Sequence, residues 1–147
     1  MGAKINNYLI FNGNCREAFE YYKNVFGEEF TEVSTFAEMP DQEGIPPVKD
    51  DEKDLIMHIS LRIGKETILM GSDTSGEWAK SFKQGNNFSI SVNTENENEA
   101  NRIFRELSKE GSIMMPMDKT FWGSYFGMLT VKFGINWMIS FAENPEN

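Results

Sequence analysis

Apolar and polar positions along the chain recur with two different periods, and each change of period marks a new element. Asn7 to Asn12 (Asn-Tyr-Leu-Ile-Phe-Asn) is rich in aromatic and branched residues and predicts a short strand. Cys15, Ala18, Phe19, Tyr22, Val25 and Phe26 then recur at the spacing of one helical face, with Asn14 to cap it and Gly27 to stop it. Phe30 to Phe36 returns to alternation and predicts the next strand. Leu55 to Ile63 and Glu66 to Gly71, joined at Gly64-Lys65, predict a hairpin. Pro40 to Asp54 has no period. Its three prolines, one glycine and six acids read as a solvated loop, or more sharply as a lid over a ligand.

The same succession then returns. Asn87 to Asn93 predicts a strand, Thr94 with Glu97 forms a capping-box pattern, and Ala100, Ile103, Phe104 and Leu107 supply an apolar stripe that Gly111 ends. Ile113 to Met117, Tyr125 to Val131 and Ile135 to Phe141 predict three further strands. Asn6 to Ile10 lies on Asn86 to Ile90 at an offset of 80, which Asn14 and Thr94 keep, whereas Gly27 and Gly111 stand 84 apart. The second helix is therefore expected to be a turn longer. Each half reads strand–helix–strand–strand–strand, so the fold class is α+β, built from two βαβββ modules. The first covers about 1–75, a linker about 76–84 and the second about 85–147. Two such sheets brought together would enclose a cleft.

Composition narrows the function classes. The 147 residues carry 14 Lys+Arg against 23 Asp+Glu, a net charge of −9 that disfavours nucleic acid and anionic membranes as partners. No apolar run approaches the ~20 residues that span a bilayer, and the first residues lack the apolar core of a signal peptide. A single cysteine forms no internal disulfide and fits a reducing, cytoplasmic location. Cys15 begins the apolar helical stripe, so packing is its expected role.

Candidate chemistry is sparse. The only histidine, His58, alternates with Met57 and Ile59 and shares its side of the strand with Ser60 and Arg62. Imidazole as a side-chain type changes charge near neutral pH, which makes His58 the candidate general base or acid. No Gly-x-Ser-x-Gly elbow, Gly-x-Gly-x-x-Gly turn or phosphate loop is present. Thr120 to Met128 joins aromatics and glycines at a strand entry, either as a ligand wall or as a bulged strand over the core. Trp137 falls with Ile135, Ile139 and Phe141 and is expected in the core.

Several ordered motifs carry a family resemblance: Tyr8-Leu9-Ile10-Phe11-Asn12-Gly13-Asn14, Tyr21-Tyr22-Lys23-Asn24-Val25-Phe26-Gly27, Met57-His58-Ile59-Ser60-Leu61, Gly71-Ser72-Asp73, Phe121-Trp122-Gly123 and Lys132-Phe133-Gly134-Ile135-Asn136-Trp137. In them the chain resembles the PhnB-like branch of the vicinal oxygen chelate superfamily (glyoxalase, bleomycin-resistance and dioxygenase proteins). The resemblance implies paired βαβββ modules in a glyoxalase-like incomplete barrel, a homodimer and a small-molecule ligand. Asn7, Leu9, Phe11, His58, Ser60, Asn87, Ser89, Met138 and Ser140 would line its cleft, with Trp122 and Phe126 at the edge.

Metal-dependent relatives place ligands on the first and last strands of each module, positions that look like Asn7, His58, Asn87 and Met138 here. Only His58 is a good donor to a divalent transition metal, so no catalytic metal and no cofactor are expected. The methyltransferase label carried by some PhnB-like sequences meets no cofactor motif in this chain. Ligand binding with or without acid–base chemistry is the first reading. A divalent-metal-dependent lyase, isomerase or dioxygenase is the alternative, and a non-catalytic interaction module the third.

Overall fold

The computed structural model describes residues 2–142, and the chain divides into two compact units between Lys83 and Gln84. The first unit comprises β1 (Asn7–Phe11), α1 (Cys15–Phe26), β2 (Phe30–Thr35), β3 (Ile56–Ile63) and β4 (Thr67–Asp73). Its sheet runs β1-β4-β3-β2, with β1 parallel to β4 and the other pairs antiparallel. The second comprises β5 (Ile90–Asn93), α2 (Glu97–Ser108), β6 (Ser112–Lys119), β7 (Ser124–Thr130) and β8 (Asn136–Ala142). Its order, β5-β8-β7-β6, repeats the same pairing. The fold is α+β, two βαβββ modules, and neither four-stranded sheet closes into a barrel.

Each helix covers one face of its own sheet. Cys15, Ala18, Phe19, Tyr22 and Val25 are buried on α1, against a sheet side that carries Leu9, Gly71, Ile59 and Leu61. Phe19 reaches that sheet because residue 71 has no side chain: a Cβ there would lie 2.6 Å from Phe19 Cε2. Phe104 of α2 uses Gly127 in the same way, at 2.8 Å, over a core of Leu129, Trp137 and Ile139. Gly27 closes α1 in the left-handed region (φ 65°), its N–H donating to the Lys23 carbonyl at 2.8 Å.

The internal repeat is more regular than the sequence offset suggests. Both helices have twelve residues, starting 82 positions apart (Cys15 and Glu97) and ending 82 apart (Phe26 and Ser108). The expected offset of 80 and the longer second helix are thus corrected. Asn96, not Thr94, caps α2, its Oδ1 accepting the Glu99 N–H at 2.8 Å. The Thr94 hydroxyl instead points to the carbonyls of Asn96 and Ser140. Glu110 makes the left-handed turn after α2 (φ 61°), so Gly111 serves a different need: a Cβ there would collide with the Thr130 carbonyl.

The segment from residue 40 to 54 is mostly exposed and holds only a short 3-10 turn at Asp50–Glu52. Its ends are tied by Phe36 N–H to the Leu55 carbonyl (3.1 Å) and Ala37 N–H to the Lys53 carbonyl (3.0 Å).

Candidate functional site

With α1 on one face of the first sheet, polar side chains collect on the other. Tyr8, Met70, Ser60 and Glu32 form one cross-strand row over all four strands, since each is in register with the next. His58, one pleat along β3, joins this row through its ring. Nδ1 lies 3.3 Å from the Tyr8 hydroxyl, and Nε2 lies 2.9 Å from Ser60 Oγ and 3.7 Å from Glu32 Oε2. The Tyr8 and His58 ring centroids are 5.6 Å apart. Ser60 is buried, His58 is partly covered, and Glu32 remains largely in water.

Such a ring can exchange a proton without moving. In its Nε2–H tautomer a neutral His58 accepts from the Tyr8 hydroxyl at Nδ1 and donates to Ser60 Oγ, and in its Nδ1–H tautomer the two roles reverse. A charged ring gains the Glu32 carboxylate as a counter-ion. Phenol, imidazole, hydroxyl and carboxylate thereby form one hydrogen-bonding patch around the chain's only histidine.

Three expected members of this surface lie elsewhere. Leu9 and Phe11 are buried on the helix side, where Phe11 meets Phe19 edge-on at 6.2 Å, and Asn7 shares their side of β1. Tyr8 and Ile10 take their place, because side chains alternate along a strand and the phase of β1 is one residue off the expectation. His58 also stands on β3 rather than on the last strand of its module, which is β4.

In the second unit, Phe126 and Ser140 are in register on the helix-free face, and Met138 follows two residues along β8. Ser140 Oγ and Asn93 Oδ1 are 2.6 Å apart. Trp122 meets Phe126 edge-on at 5.9 Å, so that aromatic pair does assemble. Asn87 and Ser89 precede β5, which begins only at Ile90, and Asn87 is exposed.

Asp73, which the sequence offers only as part of the Gly71-Ser72-Asp73 motif and without a role, organises the first unit. Its Oδ1 accepts the N–H groups of Gly13 (2.9 Å) and Cys15 (3.0 Å), and its Oδ2 accepts that of Ile56 (2.9 Å). The carboxylate, buried at the end of β4, thus does the work expected of Asn14, which makes no side-chain cap. Burial pushes the neighbouring Cys15 thiol far above its ordinary pKa, and the Asp73 charge pushes it further the same way.

A divalent metal centre of the glyoxalase type needs imidazole or carboxylate donors on the first and last strands. The helix-free positions there are Tyr8, Ile10, Met70 and Ser72 in the first unit, and Ser91, Asn93, Met138 and Ser140 in the second. None is a His, Asp or Glu, and among the described residues no three His, Cys, Asp or Glu side chains gather as a metal site. The donor set does not fit that metal.

A family model described as 3-demethylubiquinone-9 3-methyltransferase matches residues 3–140. The chain belongs to this family. Protein YjdN of Escherichia coli (strain K12) is 33% identical over 141 residues, 92% of this chain and 93% of that one. Protein PA1353 from Pseudomonas aeruginosa is 36% identical, with a TM-score of 0.82 over 97% of this chain and 100% of its own. A PhnB protein from Bacillus cereus, described as a putative 3-demethylubiquinone-9 3-methyltransferase, shares the fold at 24% identity and TM-score 0.72, over 95% of this chain and all of its own. An enzyme of the glyoxalase/bleomycin resistance protein/dioxygenase family from Burkholderia phytofirmans PsJN has the same fold at 12% identity and TM-score 0.62, covering 92% of this chain and 97% of its own. The family is the PhnB-like branch of the vicinal oxygen chelate superfamily. No helix among the described residues is long and apolar enough to cross a membrane.

Proposed function

We propose that this PhnB-like protein binds a small organic molecule on the helix-free face of its first sheet, with His58 as the group that anchors it and exchanges a proton with it. The observation that carries the reading is the placement of both ring nitrogens, 3.3 Å from the Tyr8 hydroxyl and 2.9 Å from Ser60 Oγ. These partners fix the ring plane, and a ligand hydroxyl or carbonyl competing for either nitrogen meets a preoriented partner. Tyr8, Ile10 and Met70 supply apolar surface beside it, so the ligand class is an amphipathic or aromatic molecule with one or two hydrogen-bonding groups. Acid–base chemistry at His58 needs no divalent metal, in keeping with the donor set.

Methyl transfer, which the family's description names, is not supported by this chain's residues. A methyl donor such as S-adenosylmethionine is commonly held at a glycine-rich strand–helix turn with a ribose-binding acid. Here the β1–α1 turn spends its Gly13 and Cys15 N–H groups on Asp73, and the turn into α2 spends the Glu99 N–H on Asn96.

A thermal-shift screen of metabolites and aromatic drugs on tag-free protein tests the proposal, because a ligand that binds the folded state raises Tm by mass action. The expected result is a set of stabilising compounds whose effect is lost in His58→Gln and weakened in Tyr8→Phe. Compounds that stabilise wild type and His58→Gln equally would overturn it, as would a stoichiometric transition metal in the purified protein that disappears in His58→Gln.

A further inference from the structure

The helix-free face of the second sheet carries a concentration of thioethers. Met115 on β6 is in register with Met128 on β7, which is in register with Met138 on β8. These three therefore stand side by side on one face, at cross-strand Cβ spacings of about 5 Å. A bulge in β6 adds a fourth. The register slips between Ile113 and Met115, leaving Met114 as an extra residue, and its Sδ accepts from the Thr130 hydroxyl at 3.4 Å. Thr130 shares the face of Met128, two residues before it, so Met114 turns to that same side. Four of the chain's nine methionines thus stand on one face of three adjacent strands. Met114 and Met115 are about half exposed, and Met114 borders a depression of about 590 Å³.

We propose that Met114, Met115, Met128 and Met138 form a binding site for a soft monovalent metal ion, Cu(I) or its analogue Ag(I). Thioethers are weak donors to hard divalent ions and good donors to these soft d10 ions, which accept three or four sulfur ligands without a compensating negative charge. Unbranched methionine side chains have three rotatable bonds, so sulfurs from neighbouring strands converge without moving the backbone. A net charge of −9 favours cation approach. The site is independent of His58, and the two readings stand or fall separately.

The test titrates tag-free full-length protein anaerobically with Ag(I), following the methionine methyl resonances by NMR and the stoichiometry by native mass spectrometry. The expected result is one ion per chain, shifting the methyl signals of these four residues and leaving those of Met39, Met57 and Met70 in place. Met128→Leu and Met138→Leu, which conserve side-chain volume and leave the fold intact by circular dichroism, are expected to weaken binding about tenfold or more. The proposal is overturned if Ag(I) does not bind, if both leucine variants bind as wild type does, or if binding is lost in Cys15→Ser or His58→Gln instead.

Discussion

The Asp73 carboxylate accepts the Cys15 N–H at 3.0 Å, and so the last residue of β4 caps the helix that begins 58 positions before it. The same carboxylate holds Gly13 and Ile56, tying three segments of the first unit to one buried charge. Asp73→Asn removes the charge and turns one oxygen into a donor that faces backbone N–H groups. Since hydrogen bonds to a buried charged group contribute about 1.5–3 kcal/mol, a loss of about 3 kcal/mol is expected, read as a lower urea midpoint. A wild-type midpoint in Asp73→Asn would show that the carboxylate is dispensable.

Cys15 gives a pH dependence with a definite sign. Its thiol pKa is raised in the folded protein by burial and then by Asp73. The unfolded chain therefore loses this proton first, near the ordinary thiol pKa of about 8.5, and binds fewer protons than the folded one above it. Stability is expected to fall by about 1.4 kcal/mol per pH unit above that point, and Cys15→Ala to lack this contribution. Denaturation of both proteins between pH 7 and 10 checks it, and parallel curves would refute it.

Two glycines are expected to respond differently to alanine. At Gly111 the new Cβ meets the carbonyl of Thr130, and that backbone is held in the β7 ladder. At Gly71 the first obstacle is Phe19 Cε2 at 2.6 Å, a ring that can shift, although the Leu9 carbonyl follows at 2.8 Å. Overpacking costs about 1–3 kcal/mol, so Gly71→Ala is placed inside that range and Gly111→Ala at its top or beyond. Differential scanning calorimetry of the two variants gives the order directly.

The helix caps provide a matched pair. Asn96→Ala removes the acceptor of the Glu99 N–H and is expected to cost about 1 kcal/mol. Asn14→Ala removes no cap, because Asp73 already serves the start of α1, and is expected to change stability by less than about 0.5 kcal/mol. Equal losses in the two variants would contradict the assignment.

Most of the fold was legible because helical and strand periods are strong where one face is buried. Phe19, Tyr22, Ile103 and Leu107 could be assigned to the core from spacing alone, and Trp137 is buried as its neighbours implied. The phase of β1 was not legible. Tyr8, Leu9, Ile10 and Phe11 are all apolar or aromatic, so alternation carries no information about which pair faces α1. Only the pairing of Leu9 with Gly71, beneath Phe19, decides it. The same ambiguity hid Tyr8 as the partner of His58, and Glu32 became its neighbour only through the β2–β3 register. The capping role of Asp73 was invisible for another reason: a cap supplied from 58 residues away leaves no local pattern. In the second unit the resemblance implied Met138 and Ser140 on the cleft face and Phe126 at its edge, and β8, where Asn136, Met138 and Ser140 alternate with Trp137, Ile139 and Phe141, puts the first two on one side.

The slip in β6 has a further consequence for life in a crowded solution. β6 is an edge strand of its sheet, eight residues long, with Ile113, Met114 and Met115 about half exposed. Such a border invites foreign strands to add on and grow fibrils. Pro116 withholds one N–H from any newcomer, the irregular register on either side of Met115 spoils a flat template, and Asp118 with Lys119 places charge at the strand's end. The irregularity that turns Met114 and Met115 to one side of β6 is thus also a device of the kind that opposes strand addition at an open rim.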